Sequence, residues 1–307
     1  MKNLPDVQGS PLEGSFGISR VGVSGIKRPV TIKRPHKTVN LVPEFRISVD
    51  LPSSQKGSHM SRHVEVINRS IEMAINLEND SLEKLVERIA KELLQSHEYA
   101  QYADVALSCD YFMKKRSPDG REVTENYRLI AEAEINRGEE KPKRTIGVEV
   151  AGMSACPCAM ETVRSMLKNE LLDDGASHSE ISLLDGIPVP THNQRNRTFM
   201  SLTWTEDLDI EAEDMIALVE RNLSSPTYEI LKRKGEGEIV LDAHRNPKFV
   251  EDVVRELIDN FLDRYRDMSD DVTLHVRSIS EESIHKHDAF AERIAKLGEL
   301  RKDSRFE

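Results

Sequence analysis

The sequence predicts an α+β protein that contains two similar modules in tandem. Strands and helix pairs follow one another in the order β-β-α-α-β-β in the first half of the chain, and the second half repeats this order loosely. A polar run, Glu139-Glu140-Lys141-Pro142-Lys143, separates the halves. The 307 residues suffice for two ordinary domains. We therefore predict a flexible arm rich in Gly, Pro and Ser at 1–18, a first module at 19–142 and a second at 143–307.

Local patterns predict the elements of the first module. Residues 44–51 alternate apolar and polar side chains, as a half-buried strand does. Apolar residues at helical spacing predict one helix from about Ser61 to Leu77 and another that begins at Asp80 or Ser81. Two further strands are predicted at about 102–114 and 125–136, joined by a turn at Ser117-Pro118-Asp119-Gly120.

Similar patterns predict the second module. A helix follows Cys158, and we expect its buried face to carry Val163, Met166, Leu167 and Leu171. The strongest helix signal starts at Asn246-Pro247, where Asn246 can act as the N-cap. The other predicted elements are strands at about 145–150, 197–205 and 272–279, a helix at about 212–222 and a C-terminal helix.

Composition narrows the classes of function. The net charge of −11 comes from 43 basic and 54 acidic residues, and it disfavours binding to a nucleic-acid backbone. No run approaches the ~18 apolar residues of a membrane span, and the N-terminus lacks the apolar core of a signal peptide. Three cysteines, two of them only two residues apart, argue against a disulfide framework. We therefore expect a cytoplasmic protein that binds neither membrane nor nucleic acid.

Two residues of the second half form a candidate metal site. Cys158 opens a predicted helix, where the helix dipole favours the thiolate that binds metals. His192 follows in an irregular polar stretch, and its imidazole is a second ligand for a divalent ion. The alternative interpretations are a small buried core residue for Cys158 and a solvated loop side chain for His192. Together the pair favours a metal that activates a water molecule.

Spacing alone leaves the third ligand open. Glu236 and Glu238 lie beside glycines that would let a carboxylate approach an ion closely, but an acidic turn would have the same sequence. Glu251 is another candidate, and it could equally be a helix partner of Arg255. His285 and His287 resemble a pair of ligands or an acid/base pair, with a surface feature as the alternative.

Six motifs lie between His59 and Asp288, and the pattern to which they belong extends from about residue 18 to Arg301, nearly the whole chain. They are His59-Met60-Ser61-Arg62, Ala155-Cys156-Pro157-Cys158-Ala159, His192-Asn193-Gln194-Arg195, Ser225-Pro226-Thr227-Tyr228-Glu229-Ile230-Leu231-Lys232-Arg233, Asn246-Pro247-Lys248-Phe249-Val250-Glu251-Asp252 and Glu282-Ser283-Ile284-His285-Lys286-His287-Asp288. In this order they resemble the GTP cyclohydrolase type IB family, in its archaeal, methanopterin-pathway form.

The resemblance implies a fold and an assembly. Each chain of that family would contain two tunnelling-fold (T-fold) modules, and each module would be a four-stranded antiparallel sheet with a helix pair on one face. The sheets would join across subunits into barrels. A homodimer or homotetramer with interfacial active sites is therefore expected.

The resemblance also implies roles for individual residues. Cys158, His192 and Glu236 would bind the metal, with Cys158 also counted as catalytic. Glu251, also counted as catalytic, would hold the guanine ring through the N–H groups of the ring, and the catalytic His285 would be an acid/base or orienting group. Beside Glu251, we expect the local basic residues Arg195, Lys232 and Arg233 to meet the triphosphate charge, and His59 and Arg62 to line the substrate site.

The implied activity is hydrolytic opening of the guanine imidazole ring of GTP with release of formate. Fe²⁺ is the implied metal, although Mn²⁺ or Zn²⁺ would suit the same ligands. A long insertion from Leu171 to Val189, and Ala159-Met160 where bacterial members have Ser-Lys, favour the archaeal product, 7,8-dihydroneopterin 2′,3′-cyclic phosphate with pyrophosphate. The alternatives are a bacterial-type enzyme that gives dihydroneopterin triphosphate for folate, and a non-catalytic binder of a pterin or nucleotide.

Overall fold

The structure, a computed structural model, describes residues 7–10, 16–34, 37–74 and 81–303. The predicted end of the first helix at Leu77 and the predicted helix start at Asp80 lie outside these ranges. No helix in the described ranges is long and apolar enough to cross a membrane. The chain divides into two compact units: the first is Met1–Tyr111, Arg128–Gly147 and Thr203–Asp209, and the second is Phe112–Tyr127, Val148–Leu202 and Ile210–Glu307.

The described residues form eleven strands and eight α-helices, in which groups of strands are followed by one or more helices. The strands are β1 (Ile18–Lys27), β2 (Val30–Arg34), β3 (Lys37–Leu41), β4 (Glu44–Leu51), β5 (Tyr102–Arg116), β6 (Glu122–Asn136), β7 (Lys143–Ala155), β8 (Asn193–Trp204), β9 (Ser225–Pro226), β10 (Thr273–Ser280) and β11 (Ala289–Lys296). The helices are α1 (Met60–Ala74), α2 (Leu82–Ser96), α3 (Pro157–Asp173), α4 (His178–Ile181), α5 (Ala212–Asn222), α6 (Arg233–Arg245), α7 (Val250–Arg264) and α8 (Leu297–Asp303), with a 3-10 helix at Ser182–Gly186.

The predicted fold class, two T-fold modules with a four-stranded sheet and a helix pair each, is wrong. The structure has one nine-stranded sheet with the order β1-β4-β5-β6-β7-β8-β10-β11, in which β9 pairs with β7. The pairs β1–β4, β4–β5 and β10–β11 are antiparallel. The polar run at 139–143 connects β6 and β7, which are neighbouring strands of this sheet. Its start is a tight turn, in which Glu139 N–H donates to Asn136 O and Gly138 has a φ of 93°.

The core of the first unit confirms the local predictions made for it. The Ser81 hydroxyl caps α2 by accepting a hydrogen bond from the Lys84 N–H at 3.3 Å. The apolar residues spaced along that helix are fully buried, namely Leu85, Val86, Ile89 and Leu93. Burial of such a stripe supplies most of the stability of a helix of this length.

Helix α3 of the second unit differs from its prediction. Met160 is its buried side chain, whereas Met166 is 65% exposed and Leu171 is also exposed. Val163 and Leu167 are half-buried. The prediction that Val163, Met166, Leu167 and Leu171 form the buried face of this helix is therefore wrong for the single chain, because the described residues do not cover that face.

Helix α7 begins later than predicted. Asn246 ends α6 as its C-cap, and its side-chain amide donates to Leu223 O, so its predicted role as N-cap of α7 is wrong. Phe249 is the N-cap residue, and its N–H donates to the Asp252 carboxylate at 3.0 Å. The predicted apolar face is present, because Val253, Leu257 and Phe261 are fully buried. Strand β11, between β10 and the C-terminal helix, was not predicted.

Candidate functional site

The Cys-Pro-Cys motif (156–158) forms the start of α3. Cys156 is the N-cap, its Sγ accepts a hydrogen bond from the Ala159 N–H at 3.4 Å, and Pro157 is the first residue of the helix. Cys158 follows within the first turn as an exposed free thiol. Burial raises the pKa of the third cysteine, Cys109, to about 12, so Cys109 is the unreactive one.

Backbone hydrogen bonds join the Cys-Pro-Cys motif to the His-Asn-Gln-Arg motif (192–195). The Cys156 N–H donates to His192 O at 3.1 Å, and the Thr191 hydroxyl donates to Cys156 O at 2.7 Å. The first segment ends β7 and the second begins β8, which are neighbours in the sheet. The fold therefore places the segments of two predicted metal ligands, Cys158 and His192, side by side.

His192 lies in a polar network. Its Nδ1 is 3.0 Å from Gln194 Oε1 and 3.6 Å from Glu282 Oε2. The side chains of His192 and Glu282 are only 12% and 11% exposed. The Gln194 amide also donates to Ser280 Oγ at 2.8 Å and to Glu282 Oε1 at 3.2 Å. Gln194 and Glu282 belong to the quoted motifs but had no predicted role, and Ser280 was not singled out from the sequence.

The two histidines of the sixth motif lie beside this network. The rings of His192 and His285 meet edge to face with centroids 6.5 Å apart, and His285 stacks on His287 at 5.2 Å with an interplanar angle of 12°. Both His285 and His287 are exposed. His285 can therefore reach both a ligand in solvent and the neighbourhood of His192.

The predicted third ligand lies on a helix. The glycine-flanked acidic stretch belongs to α6, where Glu236 is exposed in the first turn and Glu238 pairs with Lys234 at 3.5 Å. Across the described ranges of the chain, no three His, Cys, Asp or Glu side chains are close enough together to hold a metal ion. Cys158, His192 and Glu236 therefore do not form one ligand group in the single chain.

Glu251 occupies the first turn of α7 and is exposed. The start of this helix is fixed near the Cys-Pro-Cys motif, because the Lys248 N–H donates to Ala155 O at 3.0 Å. The buried Lys248 ammonium group donates to Asn222 O and to the Glu256 carboxylate. Arg255 pairs with Asp252 at 3.7 Å, which is not the Glu251 pair that the sequence offered as an alternative.

The predicted substrate-binding cations lie on several elements. Lys232 and Arg233 are exposed at the start of α6, where the Lys232 N–H donates to Asp119 Oδ2 at 3.4 Å. Arg195 is exposed on β8. In the first unit, His59 immediately precedes α1, and the Arg62 guanidinium donates to Ser96 O at 3.2 Å.

A cavity of about 190 Å³ in the second unit was missed from the sequence. The Glu229 N–H donates to both oxygens of the buried Glu125 carboxylate, and burial raises the pKa of Glu125. The Tyr127 hydroxyl donates to Glu220 at 2.7 Å, and Lys115 also pairs with Glu220. These residues come from separate elements, so no local spacing could group them. The cavity is lined by Glu125, Asn126, Tyr127, Ala151, Arg195, Glu220, Thr227, Tyr228 and Glu229.

The motifs and their arrangement define a cyclohydrolase of the type I class. A family model described as type I GTP cyclohydrolase folE2 matches residues 4–291, and the chain belongs to this family. GTP cyclohydrolase MptA of Methanosarcina acetivorans is 41% identical over 309 residues, which cover 98% of this chain and 97% of that protein. GTP cyclohydrolase MptA 1 of Methanocella arvoryzae is 42% identical over 303 residues, with 98% and 96% covered. The family resemblance found in the six motifs is thus confirmed.

Two solved structures share the fold at low sequence identity. The uricase from Arthrobacter globiformis aligns with a TM-score of 0.52 at 7% identity and covers 93% of this chain and 94% of its own. A uricase from Bacillus fastidious gives a TM-score of 0.52 at 11% identity, with 93% and 96% covered. These similarities concern the fold alone. They extend over 93% of this chain, in agreement with the large sheet that replaces the predicted four-stranded modules.

Proposed function

We propose that the protein is a GTP cyclohydrolase that opens the imidazole ring of guanine and releases formate. Its product would be 7,8-dihydroneopterin 2′,3′-cyclic phosphate, with pyrophosphate as the second product, in the first step of methanopterin biosynthesis. The pairing of the Cys-Pro-Cys and His-Asn-Gln-Arg motifs at the ends of β7 and β8, in a chain of this family, carries the proposal. The names of its relatives support GTP as the substrate.

Individual side chains suit the steps of this reaction. The exposed Glu251 carboxylate would accept hydrogen bonds from guanine N–H groups, because an ionised carboxylate only accepts. His285 would exchange protons with the opening ring, since an imidazole titrates near neutral pH. Arg195, Lys232 and Arg233 would offset the triphosphate charge. His59 and Arg62 of the first unit complete the proposed set of substrate-binding residues.

Fe²⁺ is the proposed metal, with Mn²⁺ or Zn²⁺ as alternatives, and Cys158, His192 and Glu236 are its proposed ligands. A bound ion of this kind would supply an activated water by lowering the water's pKa. Because the three side chains are not grouped in the single chain, metal content is the measurement that tests the set. After anaerobic reconstitution with Fe²⁺, we expect Cys158→Ala and Glu236→Gln to lose the iron that the wild type retains.

Glu238→Gln is the matched control for Glu236, because Glu238 lies on the same helix and already pairs with Lys234. The Glu238→Gln variant should retain its iron. Loss of iron from Glu238→Gln, with retention in Glu236→Gln, would move the carboxylate ligand to Glu238. Full iron binding by Cys158→Ala would refute the proposed ligand set.

Anaerobic incubation of the Fe²⁺-reconstituted protein with GTP tests the activity. We expect formate and a fluorescent pterin, and phosphorus NMR should show pyrophosphate and a cyclic phosphodiester. Cys158→Ala should lower turnover by at least about a hundredfold, because even groups that only orient metal ligands are worth ~10–100-fold. Cys109→Ala, at the buried unreactive cysteine, is the matched control and should stay active.

The alternatives give different products in the same experiment. An intact triphosphate on the pterin would establish the bacterial-type reaction instead. Binding of GTP without formate release would indicate a non-catalytic binder. Either result would overturn the proposed product.

The protein is also proposed to be a homodimer or homotetramer that acts in the cytoplasm. The exposed apolar side chains Met166 and Leu183, on α3 and in the segment after it, support contact with a second copy.

A further inference from the structure

The hydrogen bonds around Gln194 fix which way its amide points. The Gln194 side chain lies between the His192 ring on one side and Ser280 and Glu282 on the other. The oxygen and nitrogen of an amide are told apart by their partners. The NH₂ group of Gln194 donates to Ser280 Oγ and to Glu282 Oε1, so its carbonyl oxygen faces His192.

This orientation determines where the His192 ring carries its proton. A neutral imidazole has one N–H, and its hydrogen-bond partners decide which nitrogen holds it. Two oxygens face Nδ1, namely Gln194 Oε1 at 3.0 Å and Glu282 Oε2 at 3.6 Å. An unprotonated Nδ1 would direct its lone pair at both acceptors, which is repulsive. Nδ1 therefore carries the hydrogen, and Nε2 keeps its lone pair.

The network is anchored in the core and therefore resists rotation. Ser280 Oγ lies 3.1 Å from Ser154 Oγ, and both serines are buried. Ser154 belongs to β7 and Ser280 ends β10, so the amide is held against two strands of the sheet. Low exposure strengthens these polar contacts, because little water competes for them.

We propose that Gln194 is a positioning residue that holds His192 as the Nδ1–H tautomer and presents the Nε2 lone pair to the site. The inference rests on the proposed function for its purpose, because a lone pair at Nε2 is what a metal ion or a substrate proton requires. The assignment of the His192 tautomer depends only on the contacts of Gln194, Ser280 and Glu282. Nothing in the sequence motif alone distinguishes the two tautomers.

Long-range proton–nitrogen NMR of protein labelled with ¹⁵N-histidine tests the proposal directly. The measurement uses metal-free, substrate-free protein at neutral pH, and His192→Gln identifies the His192 signals. We expect a protonated Nδ1 and an unprotonated Nε2. An Nε2–H ring, or a ring that exchanges freely between both forms, would overturn the proposal. The wild-type spectrum is decisive by itself even when a variant fails to fold.

Gln194→Leu removes the amide and retains a similar shape. We expect the population of the Nε2–H tautomer of His192 to rise, whereas Gln101→Leu, the same change at an exposed glutamine of the first unit, should leave the spectrum unchanged. An unchanged tautomer in Gln194→Leu would show that Glu282 alone sets it, and the role of Gln194 would be refuted.

Kinetics separate this inference from the proposed function. With GTP and Fe²⁺, Gln194→Leu should lower kcat by ~10–100-fold, as loss of a group that orients a ligand does, and leave KM within about threefold. A rise of ~10–100-fold in KM, with kcat unchanged, would contradict a positioning role. A wild-type protein that shows the Nδ1–H tautomer but releases no formate would refute the cyclohydrolase activity and leave the tautomer assignment intact.

Discussion

His63 and His97 in the first unit are fully buried imidazoles whose ring centroids lie 4.5 Å apart. Each Nδ1 faces a backbone carbonyl four residues earlier, His59 O at 3.4 Å and Leu93 O at 3.0 Å. Their Nε2 atoms have no hydrogen-bond partner in the described part of the chain. Burial, followed by the neighbouring His97 ring, lowers the pKa of His63 to about 4, and burial lowers the pKa of His97. Both rings are therefore neutral in the native protein.

This pair predicts a loss of stability on acidification. The ordinary pKa of 6.5 applies to His63 in the unfolded chain, so between pH 6.5 and about 4 the unfolded state binds a proton that the folded state does not. Stability therefore falls as the pH falls through this window. From pH 7 to pH 5, His63 alone should cost about 2 kcal/mol of unfolding free energy.

Urea unfolding at pH 7 and pH 5 measures this loss. His63→Gln cannot titrate, so its stability should fall by about 2 kcal/mol less than that of the wild type over the same interval. His178→Gln, at an exposed histidine, should behave as the wild type does. Equal pH dependence of the wild type and His63→Gln would disprove the burial argument.

At the residue scale, the sequence identified the candidate metal ligands better than the residues that hydrogen-bond around them. Cys158 and His192 stood out because a helix-opening thiol and a loop imidazole have recognisable surroundings. Glu282 and Ser280 did not, because their contacts with Gln194 join positions 88 and 86 residues apart. Such contacts depend on how the strands assemble into the sheet, and a local sequence pattern does not predict that assembly.

At the scale of elements, Gly152 shows how tightly β7 meets the segment after α5. A Cβ built on Gly152 would lie 2.3 Å from Leu223 Cδ1 and 3.0 Å from Ser225 O. Gly152→Ala should therefore displace β9 and lower the unfolding free energy by ~1–3 kcal/mol, the usual cost of overpacking. Urea unfolding measures the change.

Gly186→Ala is the matched control, because no atom lies within 4 Å of a Cβ at that position. Its effect should stay within about 0.5 kcal/mol, as for most surface substitutions. If both alanine variants unfold at the same urea concentration as the wild type, the close approach at Gly152 has no energetic consequence.

Elements were predictable where local chemistry alone decides them. Ser81 could be identified as a cap because its hydroxyl acts within one turn of the helix. Asn246 was assigned to the wrong helix, since an Asn-Pro pair suits the end of one helix as well as the start of the next. Helix α6 was not predicted; an acidic turn was only the alternative interpretation of the stretch around Glu236. Gly235 and Gly237 lower helix propensity, and tertiary packing overrides that preference.

At the scale of the whole molecule, the sequence indicated most of the strands but not the sheet they form. Alternation along β4 and β6 shows that each has a buried face, yet it does not show which strands are neighbours. The division into two four-stranded sheets was implied by the family resemblance alone. Pairing of β6 with β7 across the polar run at 139–143 joins the strands into one sheet.

The exposed face of α3 makes a prediction about the assembled protein. Met166 is 65% exposed and Leu183 is 70% exposed, and extended patches of exposed apolar side chains often mark a contact surface. If this surface joins copies of the chain, light scattering should give the wild type a mass of two or four chains. Met166→Glu should shift the measured mass towards that of the monomer, because burying an unpaired carboxylate costs several kcal/mol.

Val42→Glu, at a side chain 61% exposed in the first unit, is the matched control and should leave the mass unchanged. A monomeric wild type, or equal dissociation of both variants, would contradict an interface at α3.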